Sequence, residues 1–305
     1  MLHSMINELA LAELLDRARA LVDERKLLHA VQVYRKITEL APKFDGAWIE
    51  LAEVFSALKR PDAAEHALLE ARTKTGDRHE VTMLLGNLSL KQQQYEKALS
   101  YYRELVDVER ELPARLRTQL TFHLGLVHLY RNNVRLAEEL FRKTLALNPR
   151  FPKINETIAE LLVRRGAYAE ALGFLQTAIA LDQYSWIAHY LMGIVAMRMH
   201  DWRKAHGEFV TAIDMDPEEP TSWQLCGEVL IALHELDEAE QYLRKALELN
   251  PQSTDAAANV GAIHLKRGDY QRARECFEKA LAIDPKHGKA LQGKAELSVV
   301  TKQQS

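Results

Sequence analysis

Ala246-Leu247-Glu248-Leu249-Asn250-Pro251 recurs further along the chain as Ala280-Leu281-Ala282-Ile283-Asp284-Pro285. A related hexapeptide, Ala212-Ile213-Asp214-Met215-Asp216-Pro217, lies one equal interval before the first, and Thr144-Leu145-Ala146-Leu147-Asn148-Pro149 lies two further intervals upstream. The hexapeptide therefore recurs with a period of 34 residues, the distance from Pro251 to Pro285. A fixed period of this kind indicates a protein that stacks one small structural unit many times. Such a chain is expected to offer an extended binding surface rather than one enclosed active site.

Eight repeats of this length account for most of the chain when the prolines set the frame. They begin at Leu11, Asp45, His79, Thr118, Pro152, Trp186, Pro220 and Thr254. In every repeat the eighth residue is alanine or glycine, the twentieth is alanine, and the twenty-fourth is large and apolar. Because small residues let helices approach closely, we expect the small and large positions to interdigitate between neighbours.

Each repeat carries two helical patterns. Apolar residues recur at three- and four-residue intervals, as at Leu225 and Val229 in the first half of a repeat and at Ala239 and Leu243 in the second. Short breakers separate the halves, and the pairs end near Asn-Pro or Asp-Pro steps, where proline disfavours helix in the preceding residue. The repeat is therefore predicted to be a helix-turn-helix hairpin, and the chain to be all-α.

These residues resemble the tetratricopeptide repeat (TPR) family, whose pattern is W-x2-L-G-x2-Y, then A-x3-F, then P. The seventh repeat follows that pattern at Trp223, Gly227, Leu230, Ala239, Leu243, Ala246 and Pro251. The resemblance extends from Leu11 to His287 and implies a right-handed α-solenoid superhelix of about eight hairpins plus a C-terminal capping helix. It also implies a concave groove that is lined mainly by the first helix of each hairpin.

The repeat frame predicts five segments. Residues 1–10 extend the first helix, with Ser4 as its N-cap, and residues 11–112 form repeats one to three. Residues 113–117 are an insert, residues 118–287 form repeats four to eight, and residues 288–305 form a capping helix and a loose tail. The five-residue excess near Pro113 predicts either a longer second helix in repeat three or a longer connection. It is interpreted either as a solvated longer helix or as a local change in superhelical pitch that separates repeats one to three from repeats four to eight.

Composition disfavours several classes of partner and of chemistry. Forty basic and 43 acidic residues give a formal charge of −3, so no general cationic field favours nucleic acid or anionic lipid. Cys226 and Cys276 belong to no C-x-x-C pair, which is typical of a reducing cytoplasm. The stretch from Met1 to Ala20 lacks the pattern of a secretory signal, and no apolar run approaches the length of a membrane-spanning helix.

The sequence also predicts that the protein is not an enzyme and holds no metal or cofactor. His123 and His128 are five residues apart, no H-E-x-x-H occurs, and scattered structural histidines are the favoured interpretation. No glycine-rich phosphate loop or Ser/His/Asp constellation is visible in the sequence.

The predicted binding surface follows from the family resemblance, which implies that positions two, five, nine, twelve and thirteen of a repeat face the groove. In the middle repeats these positions are largely apolar or aromatic, with carboxylates beside them, and Met and aromatic side chains make adaptable peptide-binding surfaces. The candidate groove residues are Met83, Asn87, Phe122, Leu126, Tyr130, Glu156, Glu160, Tyr190, Ile194 and Met197. Alternatively, these side chains only pack between first helices, and the carboxylates only favour solubility.

The leading hypothesis is a non-catalytic scaffold that binds a peptide or helix with apolar and basic residues in its groove. The alternatives are a chaperone-like holder of an apolar segment and a self-assembling homo-oligomeric subunit. Some members of the resembled family grip acidic chaperone tails with Lys, Asn and Arg in the groove. The corresponding positions of repeats two and three here are Ile49, Glu53, Glu80 and Leu84, so that clamp is not expected.

Overall fold

The computed structural model describes residues 2–74 and 78–304, with the side chains of residues 2–9 and 302–304 outside the description. Over these residues it contains seventeen α-helices and no strand. This confirms the predicted all-α repeat solenoid. The chain divides into two compact units, the N-terminal unit Met1–Phe151 and the C-terminal unit Pro152–Ser305.

The N-terminal unit consists of four helical hairpins. Its helices are α1 (Leu2–Asp23), α2 (Leu27–Leu40), α3 (Asp45–Ala57), α4 (Pro61–Lys74), α5 (Arg78–Lys91), α6 (Tyr95–Val106), α7 (Ala114–Tyr130) and α8 (Val134–Leu147). Because α1 begins at Leu2, Ser4 lies inside the helix and is not its N-cap. The side chain of Ser4 lies outside the described residues.

The C-terminal unit consists of four more hairpins and one unpaired helix. Its helices are α9 (Ile154–Arg165), α10 (Tyr168–Leu181), α11 (Trp186–Arg198), α12 (Trp202–Met215), α13 (Pro220–Ala232), α14 (Leu236–Leu249), α15 (Thr254–Lys266), α16 (Tyr270–Ile283) and α17 (Gly288–Gln304). Ala290 and Leu297 of α17 are buried in one cluster with Phe277 of α16. The last helix therefore covers the apolar end of the eighth hairpin.

The extra residues near Pro113 lie in a connection and in the first turn of a helix. Helix α6 has only 12 residues, so the predicted alternative of a longer second helix in repeat three is wrong. The chain leaves α6 at Val106 and enters α7 at Ala114, and α7 is 17 residues long. Leu112 and Leu116 are buried and anchor the segment in the core.

A repeated packing seam holds the two helices of each hairpin together. The glycines at the eighth position leave no room for a side chain, because an ideal Cβ there would overlap the large residue at the twenty-fourth position of the same repeat. That Cβ would lie 2.3 Å from Tyr102 at Gly86, 2.5 Å from Phe141 at Gly125, 2.6 Å from Phe209 at Gly193, 2.6 Å from Leu243 at Gly227 and 2.7 Å from Phe277 at Gly261. The predicted interdigitation of small and large positions is confirmed.

An Asn or Asp side chain closes the end of each of the last five repeats' hairpins. Its Oδ1 accepts a hydrogen bond from the backbone N–H two residues later, which makes an Asx turn, and the residue between them is proline except at Gln183. The pairs are Asn148 with Arg150 (3.0 Å), Asp182 with Tyr184 (3.0 Å), Asp216 with Glu218 (3.3 Å), Asn250 with Gln252 (3.1 Å) and Asp284 with Lys286 (2.9 Å). The end of the hexapeptide thus terminates one hairpin and forms the turn that leads into the next.

The turn inside each hairpin has one conformation throughout. The fifteenth residue of every repeat has a positive φ, between 56° and 80°, which L-residues other than glycine adopt at a cost. These residues are Arg25, Lys59, Gln93, Asn132, Gly166, His200, His234 and Gly268. Glycine occupies this left-handed position in two of the eight turns, at Gly166 and Gly268.

Candidate functional site

The N-terminal unit contains a concave cavity of about 770 Å³. It is formed mainly by α3, α5 and α7, the first helices of three successive hairpins. Its apolar wall includes Ile49, Leu84, Leu88 and Leu126, and its polar groups include Glu53, Asn87, Lys91, His123 and Tyr130. A mostly apolar cleft of this size with a few polar groups has the character of a ligand site.

Asn87 is oriented by a residue from the core. Tyr102 is buried, and its ring packs over Gly86 in the packing seam. Its hydroxyl donates a hydrogen bond of 2.8 Å to Asn87 Oδ1. Burial raises the pKa of Tyr102, so the hydroxyl keeps its proton and acts as the donor. The bond to Oδ1 fixes the orientation of the amide, and the N–H groups are the donors that Asn87 can offer to a partner.

His123 is fixed in one tautomer. Its Nδ1–H donates to the Gln119 carbonyl oxygen one turn earlier in α7, at 2.7 Å. The ring lies edge-on to Phe122, with centroids 5.5 Å apart, and 6.2 Å from the Tyr102 ring. Burial, and to a smaller extent the charge of Lys91, lower the pKa of His123, although the hydrogen bond to Gln119 opposes this. The imidazole is therefore neutral at pH 7.

Two tyrosines form an aromatic platform at the edge of the cavity. The rings of Tyr95 on α6 and Tyr130 on α7 stack with centroids 5.9 Å apart and an interplanar angle of 20°. Tyr130 is 57% exposed, so much of this ring is available to a partner. An open aromatic face attracts apolar groups and the cationic groups of Lys and Arg.

A second cavity of about 450 Å³ adjoins the first, because Glu53 lines both. Its wall includes Arg19 of α1 and Glu50 of α3, whose Oε1 accepts from Arg19 Nη2 at 2.6 Å. The Tyr34 hydroxyl donates to Glu50 Oε2 at 2.7 Å. Burial opposes ionisation of Glu50, but these two donors outweigh it and lower the pKa of the carboxyl group. The groove thus continues from α3 toward α1 with a fixed, ionised carboxylate.

The predicted groove residues of the N-terminal unit have different placements. Asn87, Leu126 and Tyr130 line the large cavity. Met83 is only 2% exposed and lies in the core, and half-buried Phe122 packs on Phe151 with ring centroids 4.8 Å apart. The prediction of Met83 as a contact residue is therefore wrong, because a buried side chain offers no surface to a partner.

Position six faces the cavity where position five was predicted to do so. Leu84 and His123 occupy position six of repeats three and four and line the cavity, whereas Met83 and Phe122 occupy position five. One residue turns a helix by about 100°, so an error of one position moves a side chain from groove to core. The spacing of His123, Leu126 and Tyr130 at three and four residues could have indicated their common face.

In the C-terminal unit, the predicted groove residues have contacts within the fold. Glu156 is 8% exposed and accepts a 2.8 Å hydrogen bond from Ser185, whose hydroxyl also caps α11. The prediction of Glu156 as a groove residue is therefore wrong, because its side chain is buried and accepts the hydrogen bond from Ser185. Glu160 pairs with Arg164 at 2.6 Å on the same helix.

The apolar candidates of the C-terminal unit are half-buried. Tyr190 lies 6.0 Å from the Trp186 ring and 6.2 Å from the Phe209 ring, measured between centroids. Tyr190, Ile194 and Met197 all pack against the buried cluster that includes Val229. These contacts match the packing alternative, and a partner role for these residues stays a prediction.

Successive hairpins with a shared seam and a shared turn, and a concave cleft on their first helices, define the class of helical-repeat scaffolds. The chain belongs to the tetratricopeptide repeat family, whose sequence profiles match residues 15–78, 55–115, 122–185 and 218–286. The resemblance inferred from the repeat pattern is therefore confirmed.

One curated relative is the type IV pilus assembly protein PilF of Pseudomonas aeruginosa, which is 28% identical over 137 residues. That match covers 45% of this chain and 53% of PilF, so the chain spans about half the length of this relative. A solved structure of P. aeruginosa PilF superposes with a TM-score of 0.56 at 22% identity, covering 69% of this chain and 94% of PilF.

Other solved structures resemble the chain in fold. The APC/C hetero-tetramer Cut9-Hcn1 gives a TM-score of 0.70 at 15% identity, covering 93% of this chain and 55% of that chain. A tetratricopeptide repeat protein from Parabacteroides merdae gives a TM-score of 0.60 at 15% identity, covering 84% of this chain and 98% of that one. None of the helices in the described residues has the length and apolar character that crossing a bilayer requires.

Proposed function

We propose that the protein is a non-catalytic interaction scaffold that binds a peptide or short helix of a partner protein in the groove of its N-terminal unit. The observation that carries this proposal is the cavity of about 770 Å³ on α3, α5 and α7. Its apolar side chains provide anchor pockets, and its fixed polar groups provide orientation, as in grooves that bind peptides. The likeness to a pilus assembly protein supports a role in protein assembly.

The groove favours a segment with apolar anchors and a basic residue. Ile49, Leu84 and Leu126 offer apolar contact, while Glu53 and the Tyr130 ring attract a Lys or Arg side chain. Lys91 repels a second cation at the same wall, so the basic residue is placed on the α3 side, near Glu53. The proposed setting is cytoplasmic, which is supported by the free thiols of Cys226 and Cys276.

The test is a peptide array followed by solution binding. The full chain is incubated with an array of short peptides of varied apolar and basic content, and the best binders are measured by fluorescence anisotropy. Leu126→Asp should weaken binding at least tenfold, because it places a charge in the apolar wall. Leu136→Asp is the matched control, since Leu136 on α8 is 41% exposed and does not line the cavity.

The two outcomes that count against the proposal are distinct. Equal affinity of both aspartate variants for the selected peptides would place binding elsewhere on the chain, and an array without any binder would contradict peptide binding itself. Circular dichroism must show that both variants keep the helical content of the unaltered protein. A chaperone-like holder would have to present Phe122, Tyr190 and Met197 to its client, and these side chains are half-buried in packing contacts, so no observation favours this alternative.

A further inference from the structure

We propose that His123 determines specificity by accepting, through its Nε2 atom, a hydrogen bond from an N–H donor of the bound segment. This inference rests on the proposed peptide-binding function. His123 lines the large cavity next to Leu126 and Tyr130, which are on the same helix, and faces a wall that includes Asn87 and Lys91. It is a binding-site residue that the repeat pattern alone assigned to structure.

The tautomer decides which atom can accept. A neutral imidazole has one N–H donor and one acceptor nitrogen. The 2.7 Å contact between Nδ1 and the Gln119 carbonyl oxygen requires the proton to be on Nδ1, because a carbonyl can only accept. The lone pair is therefore on Nε2, and a partner must bring a donor to satisfy it when the cavity is filled and water is expelled.

The surroundings keep the ring neutral. The basic Lys91 on α5 lines the same cavity, and Tyr95 and Tyr102 are the nearby titratable groups on α6. On α7 itself Tyr130 lines the same cavity, and on α8 the side chains of Glu138 and Arg142 pair with each other at 2.9 Å. Across the cavity on α3, Glu53 is the carboxylate of the lining set. Burial and the charge of Lys91 together outweigh the hydrogen bond to Gln119, so the pKa of His123 is lowered.

Neighbouring Asn87 gives the site opposite polarity one repeat away. The bond from Tyr102 to Oδ1 fixes the orientation of the amide, whose N–H groups can then donate to a bound segment. The wall thus presents a donor on α5 and an acceptor on α7, which suits a segment that carries both an acceptor and an N–H group. That N–H can belong to the peptide backbone or to a Lys or Arg side chain, and the two sources are distinguished by experiment.

The experiment uses the full chain and the tightest-binding array peptide. His123→Phe keeps an aromatic ring but removes the acceptor, and His123→Gln keeps an oxygen acceptor that does not titrate. His128→Gln, on the same helix but outside the cavity lining, is the matched control. We expect about tenfold weaker binding for His123→Phe and affinity within about threefold of the unaltered protein for the other two variants.

The pH profile gives a second readout. Because the pKa of His123 is lowered, the acceptor is present at neutral pH and is lost as pH falls below the ordinary histidine range. Binding by the unaltered chain should therefore weaken as pH falls below the ordinary histidine range, and binding by His123→Gln should not. Unchanged binding by His123→Phe, or the same pH dependence in His123→Gln, would overturn the inference.

The peptide variants identify the donor. Replacing each Lys or Arg by norleucine, or methylating each backbone nitrogen in turn, should reveal one change that weakens binding to the unaltered chain but not to His123→Phe. Absence of any such change overturns the inference.

Histidine side-chain NMR of the free chain tests the tautomer without any peptide. A proton on Nε2 would refute the role of His123 while leaving peptide binding intact. An Nδ1–H tautomer together with an array that yields no binder would instead refute the proposed function, and this inference with it.

Discussion

Two repeats of the N-terminal unit have tyrosine at the large position of the packing seam, whereas every repeat of the C-terminal unit has leucine or phenylalanine there. In the C-terminal unit the large residues seated on Gly193 and Gly261 are Phe209 and Phe277, which end inside the core. In the N-terminal unit the residue seated on Gly86 is Tyr102, whose hydroxyl continues to Asn87 in the groove. One added oxygen atom therefore converts a purely apolar contact into a link between core and binding surface.

Tyr34 repeats this arrangement toward the other end of the N-terminal unit. Tyr34 is 2% exposed, and its hydroxyl donates a hydrogen bond to Glu50 of the next hairpin. Glu50 also accepts a hydrogen bond from Arg19. In both cases a buried tyrosine orients a polar residue of the cavity wall. The groove of this unit is thus pre-organised by its core, which reduces the entropy lost on binding.

The seam itself should give the largest effect. Gly193→Ala places a Cβ 2.6 Å from the Phe209 ring, and the resulting displacement should cost about 2 kcal/mol of unfolding free energy despite the better helix propensity of alanine. Gly207→Ala, in α12 of the same unit, meets nothing within 4 Å and should stabilise by about 0.5–1 kcal/mol. Guanidinium denaturation followed by circular dichroism measures both.

Opposite signs for these two substitutions are the essential result. If both stabilise the protein, the packing seam is looser than its geometry indicates. The contrast between repeats that have phenylalanine and repeats that have tyrosine in the seam would then have no basis.

The tyrosine link should give an intermediate effect. Tyr102→Phe keeps the seam but removes the bond to Asn87, and should cost about 1 kcal/mol of unfolding free energy. It should also weaken binding of the selected peptide several-fold, because the Asn87 amide is no longer oriented. Tyr184→Phe is the control, since Tyr184 is 72% exposed and should change neither quantity. A Tyr102→Phe variant that binds like the unaltered protein would show that the link is only structural.

The periodic positions allowed the fold to be predicted from the sequence. Position eight against position twenty-four and the Asn/Asp-Pro steps depend on contacts within one repeat or between adjacent turns, so the repeated pattern carries them. Met83 and Leu84 show where this reasoning ends. Both are apolar neighbours in sequence, and which of them is buried depends on how α5 is rotated against α6 and α7.

The role of His123 could not be read from residue types either. A histidine in a helix has no fixed meaning, and its tautomer depends on the bond to Gln119 and on the rings of Phe122 and Tyr102. These contacts involve a neighbouring helix and a specific rotamer. The sequence contains no period that encodes them.

The hairpin turns are alike in the two units, and relief of their left-handed strain should give the smallest effect. His234 adopts a φ of 63°, and His234→Gly should stabilise the protein by about 0.5 kcal/mol, since relief of the left-handed strain exceeds the entropy that glycine adds to the unfolded chain. Gly268, one repeat later with φ 78°, is the matched position, and Gly268→Ala should destabilise by about 1 kcal/mol.

Gln93→Gly in the N-terminal unit, with φ 60°, should match His234→Gly. Equal gains in thermal and chemical unfolding would show that the units differ in their seams and not in their turns, whereas a loss for Gln93→Gly alone would mean that its side chain stabilises the cavity edge that it lines.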